Sequence, residues 1–72
     1  MSRREAELGG HIRIWRERRR MTQTELGDRI GLSQVTISSL ERAYRELRVT
    51  TALDIADALG ITLQTLITKT PR

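Results

Sequence analysis

The chain has 72 residues, 38% of them apolar and 31% charged, and it carries a net charge of +4. A chain of this length builds one small core that buries about 60% of its unfolded surface, so it holds one domain and leaves little room for an enzyme pocket. The sequence has no cysteine, no apolar leader and no long apolar run, which excludes disulfides, thiolate zinc sites and a membrane span, and we expect a cytoplasmic protein with no membrane partner.

The basic residues are nearly all arginine and are unevenly spread. Twelve of the thirteen are Arg and only Lys69 is lysine, and the Arg guanidinium matches phosphate groups and guanine edges. Residues 1–20 carry seven Arg against three Glu, whereas residues 49–68 carry two Asp and no basic residue. This asymmetry favours an oriented surface for a polyanion over an ordinary solvated coat of Arg, the alternative that composition alone leaves open.

The first helix is predicted over residues 8–19. Leu8, Ile12 and Trp15 recur there at the spacing of one helical face, so they are expected to pack in the core. The charged residues of this segment lie mostly off that stripe. Residues 1–7, which precede it, are predicted to form a basic N-terminal arm.

The second helix is predicted to begin at Gln23. The segment Thr22–Glu25 (TQTE) has the pattern of a capping box, in which the first and last side chains satisfy each other's backbone N–H groups. Met21 and Leu26 stand at the two positions of a hydrophobic staple. Leu26 and Ile30 then form the buried stripe of this helix.

The third helix follows after a tight turn. Gly31 ends the second helix, because glycine adopts the left-handed conformation without penalty. Ser33 has the character of an N-cap, and the third helix is predicted over residues 34–42 with Ile37 and Leu40 buried. Two short capped helices around a glycine-containing turn are typical of a helix-turn-helix.

Two further helices complete the prediction, after a polar, basic connection over residues 43–48. The fourth helix has apolar residues at helical spacing and ends at Gly60. A short fifth helix is capped by Thr62, and residues 69–72 are expected to fray. The result is an all-α domain over residues 8–68. The apolar residues of these last two helices are Ala52, Ile55, Ala56, Leu59, Leu63, Leu66 and Ile67.

At this point the sequence resembles the Cro/C1-repressor (Xre-type) helix-turn-helix family of DNA-binding regulators, from Ile12 to Leu66 without a gap. The resemblance implies a five-helix, lambda-repressor-like DNA-binding domain whose helices 2 and 3 form the helix-turn-helix and whose third helix enters the major groove. Three positions depart from the family pattern: Gly27 replaces the usual Ala, and Ala43 and Leu47 replace the usual Gly and Pro. The matching residues are Arg16, Thr22, Gln23, Leu26, Ile30, Gly31, Ser33, Ile37, Leu40, Glu41, Ala56, Leu59 and Gly60.

The outward arc of the third helix is the predicted base-reading surface. The Gln34 amide can pair with the N6/N7 edge of adenine, and Val35 can pack on a thymine methyl group. Ser38 and Ser39 lie one turn further on and reach bases directly or through water. The alternative for each is a solvated residue on an exposed helical face.

Phosphate contacts are predicted around this arc. Gln23 opens the second helix, where free N–H groups attract a phosphate, and the resemblance implies the same contact. Arg3, Arg4 and the segment 18–20 are further candidates, of which we expect about half to be solvated. The remaining predicted phosphate-binding residues are Thr36, Arg42, Tyr44, Arg45 and Arg48.

The resemblance also implies a structural salt bridge between Arg16 and Glu41. A homodimer on a near-palindromic site is expected, because one domain of this size reads too few base pairs. The fifth helix offers the apolar surface for it, so the predicted dimer interface is Ile61, Leu63, Leu66 and Ile67.

The predicted function is sequence-specific binding of double-stranded DNA for transcriptional control, by a repressor or a controller protein of a restriction–modification system. The alternative is an antitoxin or a protein-interaction module that retains the fold, with a toxin or a polymerase as its protein partner. The chain is either a stand-alone regulator or the DNA-binding part of a larger one. His11 is the only imidazole and has no partner pattern, so we expect no catalytic residues, metal, cofactor or small-molecule ligand.

Overall fold

The computed structural model describes residues 3–68 and 70. Within these residues, all regular secondary structure is helical, which confirms the all-α, five-helix prediction. Most of the tail predicted over 69–72, and the first two residues of the predicted arm, lie outside the described residues. The helices are α1 (Arg3–Arg18), α2 (Gln23–Ile30), α3 (Gln34–Glu41), α4 (Val49–Leu59) and α5 (Leu63–Thr68).

Helix α1 begins five residues earlier than predicted. The start at residue 8 was wrong, and residues 3–7 are helical rather than a separate arm. The prediction followed the apolar stripe, which begins at Leu8. Ala6 and Glu7 have high helix propensity, and negative charge is favourable near a helix N-terminus, so the helix extends without an apolar face.

The core receives side chains from every helix. The six largest fully buried side chains of the described residues together join α1 to the helix-turn-helix and to the two C-terminal helices. Leu47, in the connection before α4, packs against the same core. The amphipathic spacing in the sequence therefore selected the correct faces. These six largest buried side chains are Ile12, Leu26, Ile37, Ile55, Leu59 and Leu66.

One member of the predicted dimer interface belongs to this core instead. Leu66 is completely buried, so its side chain is not available at a surface, and its assignment to the interface was wrong. The reason is that α5 is a short helix whose buried side chain closes the core against α1, where His11 Nδ1 donates a hydrogen bond to the Leu66 carbonyl oxygen at 2.8 Å. Ile61 and Leu63 are half-buried against the core, and Ile67 is 44% exposed.

The capping residues predicted from the sequence begin the two helices of the helix-turn-helix. The Thr22 hydroxyl accepts a hydrogen bond from the Glu25 N–H, and the Glu25 carboxylate accepts one from the Thr22 N–H, both at 3.0 Å. These bonds lower the pKa of Glu25 below its ordinary value. The Ser33 hydroxyl accepts from the Thr36 N–H at 3.1 Å and begins α3 in the same way. The capping box and the second N-cap are confirmed.

Two glycines permit close packing of the first three helices. A Cβ at Gly27 would overlap the Leu32 carbonyl oxygen, which explains glycine where the related family usually has alanine. A Cβ at Gly9 would lie 2.6 Å from the Glu41 carbonyl oxygen, so α1 and the end of α3 approach at backbone distance. These approaches fix α3 between α1 and α2.

The turns that follow the first four helices each contain a residue with positive φ. These residues are Gly31 and Gly60 after α2 and α4, with φ of 75° and 71°, and Arg20 and Ala43 after α1 and α3, with φ of 56° and 60°. After α3, the Ala43 N–H donates to the Leu40 carbonyl oxygen at 3.1 Å, and the Tyr44 N–H donates to the Ser39 carbonyl oxygen at 2.8 Å. This pattern is a Schellman motif, in which a residue with a Cβ is strained.

Replacing Ala43 with glycine is therefore expected to stabilise the domain. The left-handed conformation costs an L-residue about 1–2 kcal/mol, and the greater freedom of unfolded glycine offsets part of the gain. We expect the free energy of unfolding to rise by about 0.5–1 kcal/mol in urea denaturation. The control is Ala58→Gly in α4, which should lower it by about 1 kcal/mol because the position is helical. Equal losses in both variants would contradict a strained Ala43.

Candidate nucleic-acid interface

One outward surface brings together all four predicted base-reading side chains. Helix α3 buries Ile37 and Leu40, which turns the opposite side of the helix outward. Val35 is 67% exposed and Tyr44 is 74% exposed, so both side chains are open to a partner. A shallow depression is lined by Gln34, Val35, Ser38, Ser39, Arg42 and Tyr44. We call these six residues the recognition surface.

Three other predicted phosphate-binding residues lie in a second groove on the other side of α3. Thr36, Arg45 and Arg48 line it, with residues of the turn before α3 and the first turn of α4. The Thr36 hydroxyl is hydrogen-bonded to the Ser33 hydroxyl at 2.9 Å, so it also supports the N-cap of α3. Helix α4 begins after Arg48 without a side-chain cap. The predicted phosphate residues are thus divided between the two sides of α3.

The predicted Arg16–Glu41 salt bridge is present and nearly buried. Arg16 Nε donates to Glu41 Oε2 at 2.6 Å and Nη2 donates to Oε1 at 3.1 Å, while Nη1 donates to the Met21 carbonyl oxygen at 2.7 Å. The two side chains are 11% and 3% exposed. The hydrogen bond to Glu41 raises the pKa of Arg16 above its ordinary value. The pair ties the end of α3 to α1 and to the turn before α2.

Two glutamines extend this ion pair to the recognition surface. Gln23 Nε2 donates to Glu41 Oε1 at 3.1 Å, and Gln34 Nε2 donates to Gln23 Oε1 at 2.5 Å. We call the chain Arg16–Glu41–Gln23–Gln34 the amide relay. From the sequence, the two glutamines were predicted to have separate roles, and their contact was missed. Each is the first residue of one helix of the helix-turn-helix, and that shared position is the signal that could have paired them.

Some of the N-terminal arginines are engaged within the domain. Arg19 Nε donates to the Leu59 carbonyl oxygen at 2.9 Å, and its guanidinium lies over the Trp15 ring, 5.7 Å from the centroid. It therefore closes the end of α4 rather than standing free beside a ligand. Arg13 forms an exposed ion pair with Glu17 at 3.3 Å. The seven arginines of residues 1–20 are not a uniform basic coat.

Two further features raised by the sequence are a metal site and a membrane-spanning helix. Among residues 3–68 and 70, no three His, Asp or Glu side chains are grouped so that they could hold a metal ion. No helix among them has both the length and the apolar character needed to cross a membrane. An open depression away from α3 is lined by Arg29, Ile30, Asp54, Asp57 and Ala58.

Comparison with known proteins supports the geometry. A family model described as helix-turn-helix matches residues 12–66. An uncharacterized HTH-type transcriptional regulator, y4dJ, from Sinorhizobium fredii is 38% identical over 63 residues, which cover 88% of this chain and 82% of that protein.

Solved structures include two of similar size. The P22 c2 repressor in complex with a synthetic operator is 31% identical with a TM-score of 0.76, covering 85% of this chain and 92% of the repressor chain. The restriction–modification controller protein C.AhdI from Aeromonas hydrophila is 26% identical with a TM-score of 0.82, again covering 85% of this chain and 92% of the other.

Proposed function

The chain belongs to the helix-turn-helix family of DNA-binding transcriptional regulators, and from that premise we propose that it binds a specific double-stranded DNA operator through α3 in the major groove. Its role would be that of a repressor or of a restriction–modification controller. The observation that carries the proposal is the recognition surface, where four side chains suited to base edges share one outward face with Arg42 and Tyr44.

Gln34 is the proposed principal base reader. One N–H of its amide is engaged by Gln23, and its Oε1 atom and second N–H remain for a base. An acceptor beside a donor is the pattern that complements N6 and N7 of adenine. Val35, 67% exposed beside it, would find a thymine methyl group as an apolar partner. Ser38 and Ser39 would read neighbouring base pairs over short distances or through water.

The proposed phosphate contacts flank this reading face. Arg42 and Tyr44 adjoin the base readers, whereas Arg45 and Arg48 lie in the groove beside the uncapped start of α4. Phosphate groups on either side of the major groove would thus meet positive charge on both sides of α3. Gln23 would contribute a phosphate contact at the start of α2, where the helix dipole favours negative charge.

Removing Arg45 and Arg48 is expected to weaken binding for all DNA sequences alike. Each neutralised phosphate contributes about 0.9 to the slope of log K against log salt, so Arg45→Ala with Arg48→Ala should reduce the slope by about 2. Titrations of one duplex over a range of salt concentrations measure it. The matched control is Arg13→Ala with Arg29→Ala, two exposed arginines outside the predicted phosphate contacts, which removes the same charge and should leave the slope nearly unchanged. Equal reductions in both double variants would contradict specific phosphate contacts.

A homodimer is proposed because operators of this class of reader are usually two-part and near-palindromic. With Leu66 in the core, the remaining proposed interface is Ile61, Leu63 and Ile67, of which Ile67 is the most exposed. The two half-sites of the operator would lie about one turn of the DNA helix apart. Analytical ultracentrifugation tests the dimer: a monodisperse monomer at high concentration, both with and without DNA, would contradict it.

Selection from a random duplex pool at near-physiological salt tests the function as a whole. Enrichment of a two-part palindrome is the expected result, and its half-site spacing would define the dimer. Binding without enrichment would mean that the arginines attract polyanions without reading sequence. No binding at all would favour the alternative in which the domain serves as an antitoxin or a protein-interaction module.

A further inference from the structure

We propose that Glu41 is a positioning residue for base reading: its carboxylate fixes the direction of the amide relay, and so determines which edge of the Gln34 amide faces the DNA. The inference rests on the proposed function, since it concerns how Gln34 presents its hydrogen-bonding groups to a base. It gives Glu41 a role in sequence preference beyond its salt bridge to Arg16, although Glu41 itself lies behind the recognition surface.

The Glu41 carboxylate determines the first hydrogen bond of the relay. Paired with the Arg16 guanidinium through both oxygens, Glu41 is ionised and can only accept hydrogen bonds. Its side chain is 3% exposed, so water does not compete for the oxygen that faces Gln23. Glu41 therefore imposes one direction on the hydrogen bond that it shares with Gln23.

The Gln23 amide transmits the direction of this hydrogen bond to Gln34. Gln23 has to turn its Nε2 donor toward Glu41, a contact of 3.1 Å, which leaves its Oε1 acceptor on the side of Gln34. Gln34 must then turn its own Nε2 donor toward Gln23, a contact of 2.5 Å. Each amide is oriented because the group before it accepts and does not donate.

The relay ends at the Gln34 amide, whose hydrogen-bonding edge would face the DNA. The Gln34 amide lies with its nitrogen toward Gln23 and its oxygen away, although the residue is exposed and would otherwise rotate freely. A free amide presents donor and acceptor in either order, and only one order matches N7 and N6 of adenine at a given docking position. A relay of fixed direction therefore favours adenine and removes the cost of ordering the side chain upon binding.

The test measures base preference at one position of the selected operator. Gln34→Ala identifies the base pair that Gln34 reads, as the position at which preference disappears. Dissociation constants are then measured at fixed salt for duplexes carrying each of the four base pairs there. The variants are E41Q, which supplies both a donor and an acceptor, and Gln23→Met, which interrupts the relay and leaves the Arg16–Glu41 pair intact.

The matched control is E25Q. It removes one negative charge, as E41Q does, and glutamine at this position still completes the capping box at Thr22. E25Q therefore reports the general effect of losing one carboxylate charge on DNA affinity. The ratio of dissociation constants between base pairs cancels such general effects. It also cancels the weaker phosphate binding expected when Gln23 is replaced, because that change affects every duplex alike.

The wild type and E25Q should prefer adenine by roughly ten- to hundredfold, as expected for a good two-bond contact. E41Q and Gln23→Met should fall to about threefold or less at that position, with preferences elsewhere in the operator unchanged. A purely structural Glu41 would weaken all duplexes by the same factor and leave the ratio intact. Circular dichroism reports folding, and if E41Q is unfolded, Gln23→Met decides the matter.

The inference is overturned if the folded E41Q variant or Gln23→Met keeps the wild-type ratio, because Gln34 would then orient itself. If the wild type enriches no sequence, or Gln34→Ala alters no position, the proposed function fails at base reading and the inference falls with it. The two failures are distinguishable, since the first occurs on an operator that Gln34 demonstrably reads.

Discussion

Replacing Arg16 with methionine is expected to lower the free energy of unfolding by about 3–5 kcal/mol, because it leaves the nearly buried Glu41 carboxylate without its partner. The guanidinium makes three hydrogen bonds, two to Glu41 and one to the Met21 carbonyl oxygen, and methionine makes none of them. For a domain of this size such a loss is a large part of the total stability, which is about 0.05–0.15 kcal/mol per residue.

Urea denaturation followed by circular dichroism measures the loss. The matched control is Arg13→Met, which breaks an exposed ion pair to Glu17 on the same helix and should change the free energy of unfolding by about 0.5 kcal/mol or less. The double variant Arg16→Met with Glu41→Leu should recover much of the loss, since removing both charges leaves no buried carboxylate. A loss in Arg16→Met no larger than that in Arg13→Met would show that the pair is effectively solvated.

The ends of the helices were largely predictable because their causes are local. The capping box at Thr22, the N-cap at Ser33 and the glycine at position 60 act within a few residues of chain. The start of α1 was missed because its first turns lack an apolar face, and prediction by hydrophobic spacing cannot detect a helix that is charged all round. Helix propensity, which does not depend on burial, was the signal to use there.

Whether the Leu66 side chain is buried depends on the distance between α5 and α1, which no local sequence pattern contains. Its spacing marked it as apolar helix surface, but whether it faced the core or a second copy depended on how closely α5 approaches α1. That approach is visible only in the folded chain, through the bond from His11 to the Leu66 carbonyl oxygen. Small domains bury only part of their apolar surface, but this rule does not say which apolar residues are buried.

The outward face of α3 could be predicted from the sequence, but the hydrogen bonds of the amide relay could not. Helical periodicity places Val35 and Ser39 opposite Ile37, with Gln34 and Ser38 beside them, and in the structure these four residues line one depression. The amide relay joins residues 11 to 25 positions apart on three helices, and no periodicity relates them. Arg19 is a second contact that the sequence could not predict. Its hydrogen bond to the Leu59 carbonyl oxygen, 40 positions away, removes it from the free basic surface.

The second large effect is expected at Gly9, where the Cβ of an alanine would lie 2.6 Å from the Glu41 carbonyl oxygen and 2.7 Å from that of Leu40. Both are backbone atoms, so α1 and α3 must separate to admit it. Overpacking of this kind costs about 1–3 kcal/mol, which outweighs the gain of about 1 kcal/mol from replacing a helical glycine. Gly9→Ala should therefore lower the free energy of unfolding, measured in urea.

Gly10 supplies the matched control, because it is the neighbouring helical glycine and an added Cβ there meets nothing within 4 Å. Gly10→Ala should raise the free energy of unfolding by about 1 kcal/mol, through helix propensity alone. Opposite signs at adjacent positions would separate close packing from propensity, and a gain in both variants would contradict the tight approach of α1 to α3. The atom that an added Cβ at Gly9 meets is the Glu41 carbonyl oxygen, so moving α3 there also displaces the Glu41 carboxylate of the amide relay. Gly9→Ala should therefore weaken the preference for adenine, and Gly10→Ala should not.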